Sequence, residues 1–187
     1  PEGNGFVNED LHTVQDSFLE TRFSEGDASV TEKDLSREYM DQLVNFAKEK
    51  GDDWNRKVVV ESLGGTGDIL HDILERLGAE VDRIERTEMA DPPNPKPENL
   101  EQLKKRVEST GAEVGFANDL DSDRVTVYLE GRGFLTGNQV FAVLAELSNP
   151  PFVASVDTSR ILEKFGEVEY TRVGDPFVMD RAVEKDV

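Results

Sequence analysis

Apolar residues recur along most of the chain in two alternating rhythms. From Thr31, "TEKDLSREYMDQLVNFAKEKG" sets Leu35, Tyr39, Leu43 and Phe46 on one helical face behind a cap-like threonine and an acidic first turn, and stops at Gly51. "RKVVVES" is then a buried strand, "LGGTG" a turn, and "DILHDILERLG" a helix with Ile69, Leu70, Ile73, Leu74 and Leu77 inward and Gly78 at its end. "AEVDRIER" is a second strand, and "DPPNPKP" an extended connector that holds neither helix nor ladder. "ENLEQLKKRVESTG" is a helix with Leu100, Leu103 and Val107 inward, followed by the strands "AEVGFA" and "RVTVYLE" on either side of an acidic loop. After "GRG" the alternation resumes: helix "GNQVFAVLAELS", strand "PFVASV", helix "TSRILEKFG", strand "VEYTRV", helix "PFVMDRAVEK". This order predicts an α/β fold, two consecutive units of mixed, mostly parallel sheet covered by helices. The divisions fall at 1–30, which has no clear period and includes "SEGDAS"; 31–130, an α/β domain carrying the acidic loop; and 131–187, a second α/β unit with too few strands for a complete parallel sheet and therefore expected to be truncated.

Composition tests that picture. A hydrophobic fraction of 36% against 33% charged residues raises the alternative of a disordered acidic chain. Recurrent runs such as "VVV" and "FVASV" argue against it, since a solvated tail has no use for them. The net charge of −19 comes from 40 acidic against 21 basic residues spread along the chain, a surface that repels nucleic acid and anionic membranes. Such an even coat is what a cytoplasmic protein of a high-salt organism carries, where screening relieves the self-repulsion; an ordinary acidic protein is the plainer alternative. The absence of cysteine excludes disulfides and thiolate metal sites and fits the cytoplasm. No apolar run approaches the roughly 18 residues of a membrane span. The chain opens at Pro1 with no signal-peptide pattern behind it, so a cut N-terminus is expected.

The candidate chemistry sits in "FANDLDSDRV". Asp119, Asp121 and Asp123 alternate on a short loop, where their repulsion calls for a counter-charge. Magnesium is a natural one, because it takes oxygen ligands, leaves room for a phosphate and suits the carboxyl end of a strand; a solvated acidic loop is the competing reading, and spacing leaves both open. An EF-hand calcium loop would need glycine where Arg124 stands and a helix where "RVTVYLE" reads as strand. Arg124 either neutralises the aspartates or holds a phosphate oxygen. "GGTG" could cradle phosphate, but Asp68 follows at once, which favours a plain tight turn.

These residues also carry a resemblance. "DLDSDR" resembles the magnesium loop DGDADR or DGDGDR of the alpha-D-phosphohexomutases. "VVVESLGGTG" is similar to that family's VVVDxGNGxG, "PNPKPENLEQL" to its proline-rich segment ending in ENL, "FLTGNQVFAVLA" to LSGDEILALLA, and "TRVGDPFVMDRA" to TKVGDRYVxExM. The five keep order and spacing over roughly residues 57 to 183. The chain departs from the pattern at Leu120, where the family usually has glycine; at Asn138 and Gln139, in place of an acidic pair; and at Pro176, often arginine.

The resemblance implies an enzyme that moves a phosphoryl group between the 1- and 6-positions of a hexose phosphate through a phosphoserine, with Mg2+ and a hexose bisphosphate as activator. It implies Asp119, Asp121 and Asp123 as magnesium ligands, Arg124 as the residue orienting phosphoserine or sugar, and Gly174 and Asp175 near the substrate; a polar turn opening the last helix accounts equally for that pair. "PEGNG" is similar to the tail of the family's serine loop TASHNPPEYNG, and Val187 falls just before its sugar-reading GExSGH loop. The expectation is therefore a fragment resembling the second and part of the third domain, with 1–30 a remnant of the first, from a halophilic archaeon and inactive alone. A non-catalytic metal or sugar-phosphate binding module is the rival reading.

Overall fold

A computed structural model describes residues 8–20, 29–51, 54–86, 88 and 92–187, with the side chains of 8–10 excluded. "PEGNG" and most of "SEGDAS" lie outside the described residues. Two compact units divide the chain, one of residues 32–137 and one of 138–187 together with 1–31.

Residues 32–137 build a five-stranded sheet in the order β2-β1-β3-β4-β5. The strands are β1 (Lys57–Glu61), β2 (Glu80–Ile84), β3 (Val114–Asn118), β4 (Val125–Leu129) and β5 (Gly133–Phe134). The long connections carry α3 (Asp68–Leu77) between β1 and β2 and α4 (Glu101–Thr110) between β2 and β3. Both crossovers return the chain parallel to β1, one to each side of it. Right-handed crossovers that step in opposite directions across a sheet put their helices on opposite faces. The core divides accordingly. Val59 packs with Leu100, Leu103 and Val107 on the α4 face, and Val58 and Val60 with Leu74 and Ala79 on the α3 face. Gly115 lets α4 come close to β3, because a Cβ there would lie 2.7 Å from a Val107 methyl. The acidic loop, by contrast, is too short for a crossover. β4 therefore runs antiparallel to β3, with Asn118 opposite Val125.

In the remaining unit β6 (Phe152–Ser155) and β7 (Val168–Thr171) form a parallel pair with α5 (Gly137–Leu147) and α6 (Asp175–Lys185), and α1 spans Asn8–Glu20. An α/β architecture of mixed sheet, parallel around β1 and in β6–β7, with helical layers is thus the observed class.

Three local expectations change. The helix read from Thr31 is α2 (Ser36–Glu49), and the Asp34 carboxylate, not Thr31, accepts the N–H of Ser36 at 2.9 Å. Most of the face expected to unite Leu35, Tyr39, Leu43 and Phe46 is turned outward: Leu35, Tyr39 and Phe46 are at least half exposed, Leu43 is half-buried, and Val44 is the buried residue. Among the described elements α2 packs chiefly on α3, so it buries only a narrow strip. Finally, "TSRILEKFG" forms a 3-10 turn over Arg160–Lys164, capped by Ser159 and too short for a regular helix.

Candidate metal centre

The acidic loop leaves the carboxyl end of β3, beside the carboxyl end of β1. Between β1 and β3 the strand order reverses, the chain leaving β1 toward β2 and β3 toward β4, and open α/β sheets bind ligands at such a switch point. Asp119 is fully buried and Asp121 and Asp123 are exposed. Ser122 takes a left-handed conformation at φ 62°, and its N–H donates to Asp119 O at 3.3 Å, which curls the loop. One carboxylate oxygen from each of the three aspartates falls within a mutual 4.8 Å. Two ligands across an octahedral magnesium are about 4.2 Å apart, so small side-chain rotations fit all three to one ion. The donor set suits the metal: three hard oxygens and no sulfur.

Arg124 turns inward. Its backbone N–H donates to Asp119 Oδ1 at 3.1 Å, and Nε donates to Asp119 Oδ2 at 2.5 Å and to Asp123 Oδ1 at 3.3 Å. It thus supplies the neutralising role of the two open to it, while its side chain stays 59% exposed. Burial drives the Asp119 carboxyl upward, but the Arg124 backbone N–H and guanidinium outweigh it and hold the pKa below its ordinary value. Asp123 moves the other way, raised by lost hydration, by its hydrogen bond with Asp119 and by the charges of Asp121 and Asp119. Three carboxylates against one guanidinium leave the loop with negative charge that a cation would neutralise.

The turn after β1 contacts this loop directly. Thr66 donates its backbone N–H to Leu120 O at 2.8 Å and its hydroxyl to the same oxygen at 3.2 Å, and Thr66 Oγ1 lies 3.3 Å from Ser122 Oγ. Gly65 presses on the Leu120 backbone, where a Cβ would come within 2.3 Å of Cα. Asp68 is spent on Ser62 Oγ, at 2.6 Å, and on Arg83. "GGTG" is therefore a tight turn seated against the acidic loop, a partnership that no spacing in the sequence announces. Leu120 itself has no positive φ, so the glycine of the family pattern is not needed there. Leu63 does, at φ 52°, and takes the place of a pattern glycine while filling the core. A second group escaped sequence reasoning. Glu61, at the end of β1, is fully buried with Oε1 held by Arg86, and the signal was a charged residue closing an unbroken "VVV" run.

Gly174 and Asp175 belong to the other unit. Gly174, at φ 131°, precedes α6, and Asp175 is its first residue. Arg172 stacks on Phe177, 3.7 Å from guanidinium carbon to ring centre.

A three-layer α/β/α unit is also what the comparisons find. The profile of the phosphoglucomutase/phosphomannomutase family, alpha/beta/alpha domain II, matches residues 37–133, just over half of the chain. The chain belongs to this family. It is 35% identical over 97 residues to a probable phosphoglucosamine mutase of Methanothermobacter thermautotrophicus, covering 50% of this chain and 22% of that protein. It is 27% identical over 206 residues to a phosphoglucomutase/phosphomannomutase of Thermococcus kodakarensis, covering 100% and 45%. A solved phosphoglucomutase/phosphomannomutase family protein from Burkholderia thailandensis superposes with a TM-score of 0.80 at 22% identity, over 99% of this chain and 43% of that one, and so shares the fold. The chain thus spans less than half the length of each of these relatives.

Proposed function

We propose that this chain is the metal-holding part of a magnesium-dependent phosphohexomutase that interconverts hexose 1-phosphate and hexose 6-phosphate through a phosphoserine. The carrying observation is the convergence of Asp119, Asp121 and Asp123 at the switch point of a unit that matches the family. Asp119, Asp121 and Asp123 would hold the ion. When bound, Mg2+ supplies positive charge to the phosphoryl group in transfer, a reaction that depends on positioning and charge neutralisation more than on covalent chemistry. Arg124 keeps Asp119 ionised and oriented from one side, and its exposed guanidinium is available to orient a phosphate oxygen. Gly174 and Asp175 are assigned to the substrate side by the resemblance alone. We read the acidic coat as that of a cytoplasmic protein in a high-salt organism. Among the described residues no helix is long and apolar enough to cross a membrane.

Calorimetric titration with Mg2+ and Mn2+ tests the centre. Asp121→Asn removes a ligand charge at nearly constant volume and should weaken cation binding by at least about tenfold; equal affinity in the variant would remove Asp121 from the ligand set. Supplied with glucose, mannose or glucosamine phosphates and a trace of bisphosphate, the 187 residues alone should show no turnover, because the serine of the resembling loop is not among them. Robust turnover would mean that the catalytic group has been misplaced.

A further inference from the structure

We infer that Gly65 and Thr66 position the cation site: the turn after β1 acts as an anvil that fixes the backbone between Asp119 and Asp121. The inference rests on the metal reading above and adds residues outside the acidic loop to it.

Leu120 lies between two of the three proposed ligands, so the direction of its peptide sets how Asp119 and Asp121 face each other. That peptide oxygen accepts both the N–H of Thr66, at 2.8 Å, and its hydroxyl, at 3.2 Å. The same hydroxyl lies 3.3 Å from Ser122 Oγ, on the far side of Asp121, so one threonine spans the ligand from both flanks. Gly65 closes the contact from below, its Cα position leaving no room for a Cβ against the Leu120 backbone. Gly67 approaches too, with space for a Cβ only at 3.0 Å from Ser122 Oγ.

The anvil is itself held. The N–H of Gly65 donates to Ser62 O at 3.0 Å, Ser62 Oγ donates to Asp68 Oδ1 at 2.6 Å across the base of the turn, and Arg83 on β2 grips the other oxygen of Asp68. A rigid turn pressed on a loop with a left-handed residue at Ser122 restricts the loop to one curl. Three mutually repelling carboxylates otherwise gain by spreading apart, and a spread loop binds a cation more weakly. Groups that orient ligands in this way commonly contribute ten- to a hundredfold in metal affinity. Thr66 bonds a flanking peptide rather than a ligand atom, which places it at the lower end of that range.

The experiment is Mn2+ binding to the 187-residue chain, followed by electron paramagnetic resonance and by Mg2+ competition, with the melting temperature taken for each variant. Thr66→Val keeps shape and backbone N–H but removes the hydroxyl, and should weaken Mn2+ by about tenfold with its melting temperature near wild type. Thr66→Ser restores the hydroxyl and should return affinity to within about twofold. Gly65→Ala should lose more than Thr66→Val; should it fail to fold, the threonine pair still decides. Wild-type affinity in Thr66→Val, beside a wild type that binds, overturns the positioning role and leaves the metal reading intact. A loss in Thr66→Val that Thr66→Ser does not rescue also overturns it. A wild type that takes up no Mn2+ at millimolar concentration overturns the metal reading, and this inference with it.

Discussion

Every residue of β1 from Val58 to Glu61 is buried, whereas in the parallel pair β6 and β7 only Ala154 is. The two units thus solve the same problem to different extents. Residues 32–137 cover both faces of their sheet, and Leu100, Leu103, Val107 and Ala117 reach complete burial. The core of 138–187 is Ala145, Ala154 and Leu162, while Leu144, Leu147 and Val156 stay more than half exposed. Parallel ladders are stable when buried on both faces and when several strands share them. The acidic loop is carried by the better-buried unit, on the strand adjacent to β1. A site that must hold three like charges together needs a frame that does not yield, and that frame is where the burial is.

Leu103→Ala removes a fully buried side chain from the α4 face and should lower the stability of 32–137 by about 2–5 kcal/mol. Trp54, the single tryptophan, packs against the opposite core of that unit and reports its urea transition. A loss below about 1 kcal/mol would mean that the α4 face is looser than its burial implies.

How much of this was readable beforehand follows from the kind of signal each feature has. β1, β3, α3 and α4 were legible because a continuous apolar run or a 3.6-residue stripe is a property of neighbouring residues. Leu100, Leu103 and Val107, read as inward, are fully buried. The outward turn of Tyr39 and Phe46 was not legible, since a helix packed on one neighbour carries the same stripe as one packed on two. The aspartate spacing and Arg124 stood out in the sequence. The seat that Thr66 offers to Leu120 did not, because it joins residues 54 positions apart through a backbone oxygen. Whether a backbone oxygen is within reach depends on strand order, and strand order is set by crossovers that no local pattern records.

Charge bears unequally on the two units. At a net −19 the chain repels itself, and the unit with less apolar burial has less to set against that repulsion. In dilute buffer the amides of β6 and β7 should exchange with solvent at least about tenfold faster than those of β1 and β3. Molar potassium chloride, which shortens screening to about 3 Å, should raise the melting temperature and narrow the gap. Equal protection of the two sheets at low salt would contradict the difference in burial. A melting temperature that is flat or falls toward molar salt would remove the high-salt reading of the acidic coat.

The smallest effect concerns what replaces burial in the weaker unit. Glu169 on β7 bridges to α6, with Lys185 Nζ at 3.0 Å and Arg181 as its second partner. The hydrogen bond from Lys185, joined by that from Arg181, holds the Glu169 carboxyl below its ordinary value of 4.5. A carboxylate whose pKa is depressed by folding stabilises the folded state fully above its unfolded value, and that contribution fades as pH falls through the lower, folded value. Acid should therefore loosen α6 from β7 only below pH 4.5, and the effect should be modest because the pair is partly exposed. A carbon-detected NMR titration of Glu169 should give a midpoint under 4.5, and Glu169→Gln should flatten the acid dependence of α6 amide protection in that window. A midpoint at or above 4.5 would show that the bridge does not form in solution, and the weaker unit would then have to rest on its three-residue apolar core without it.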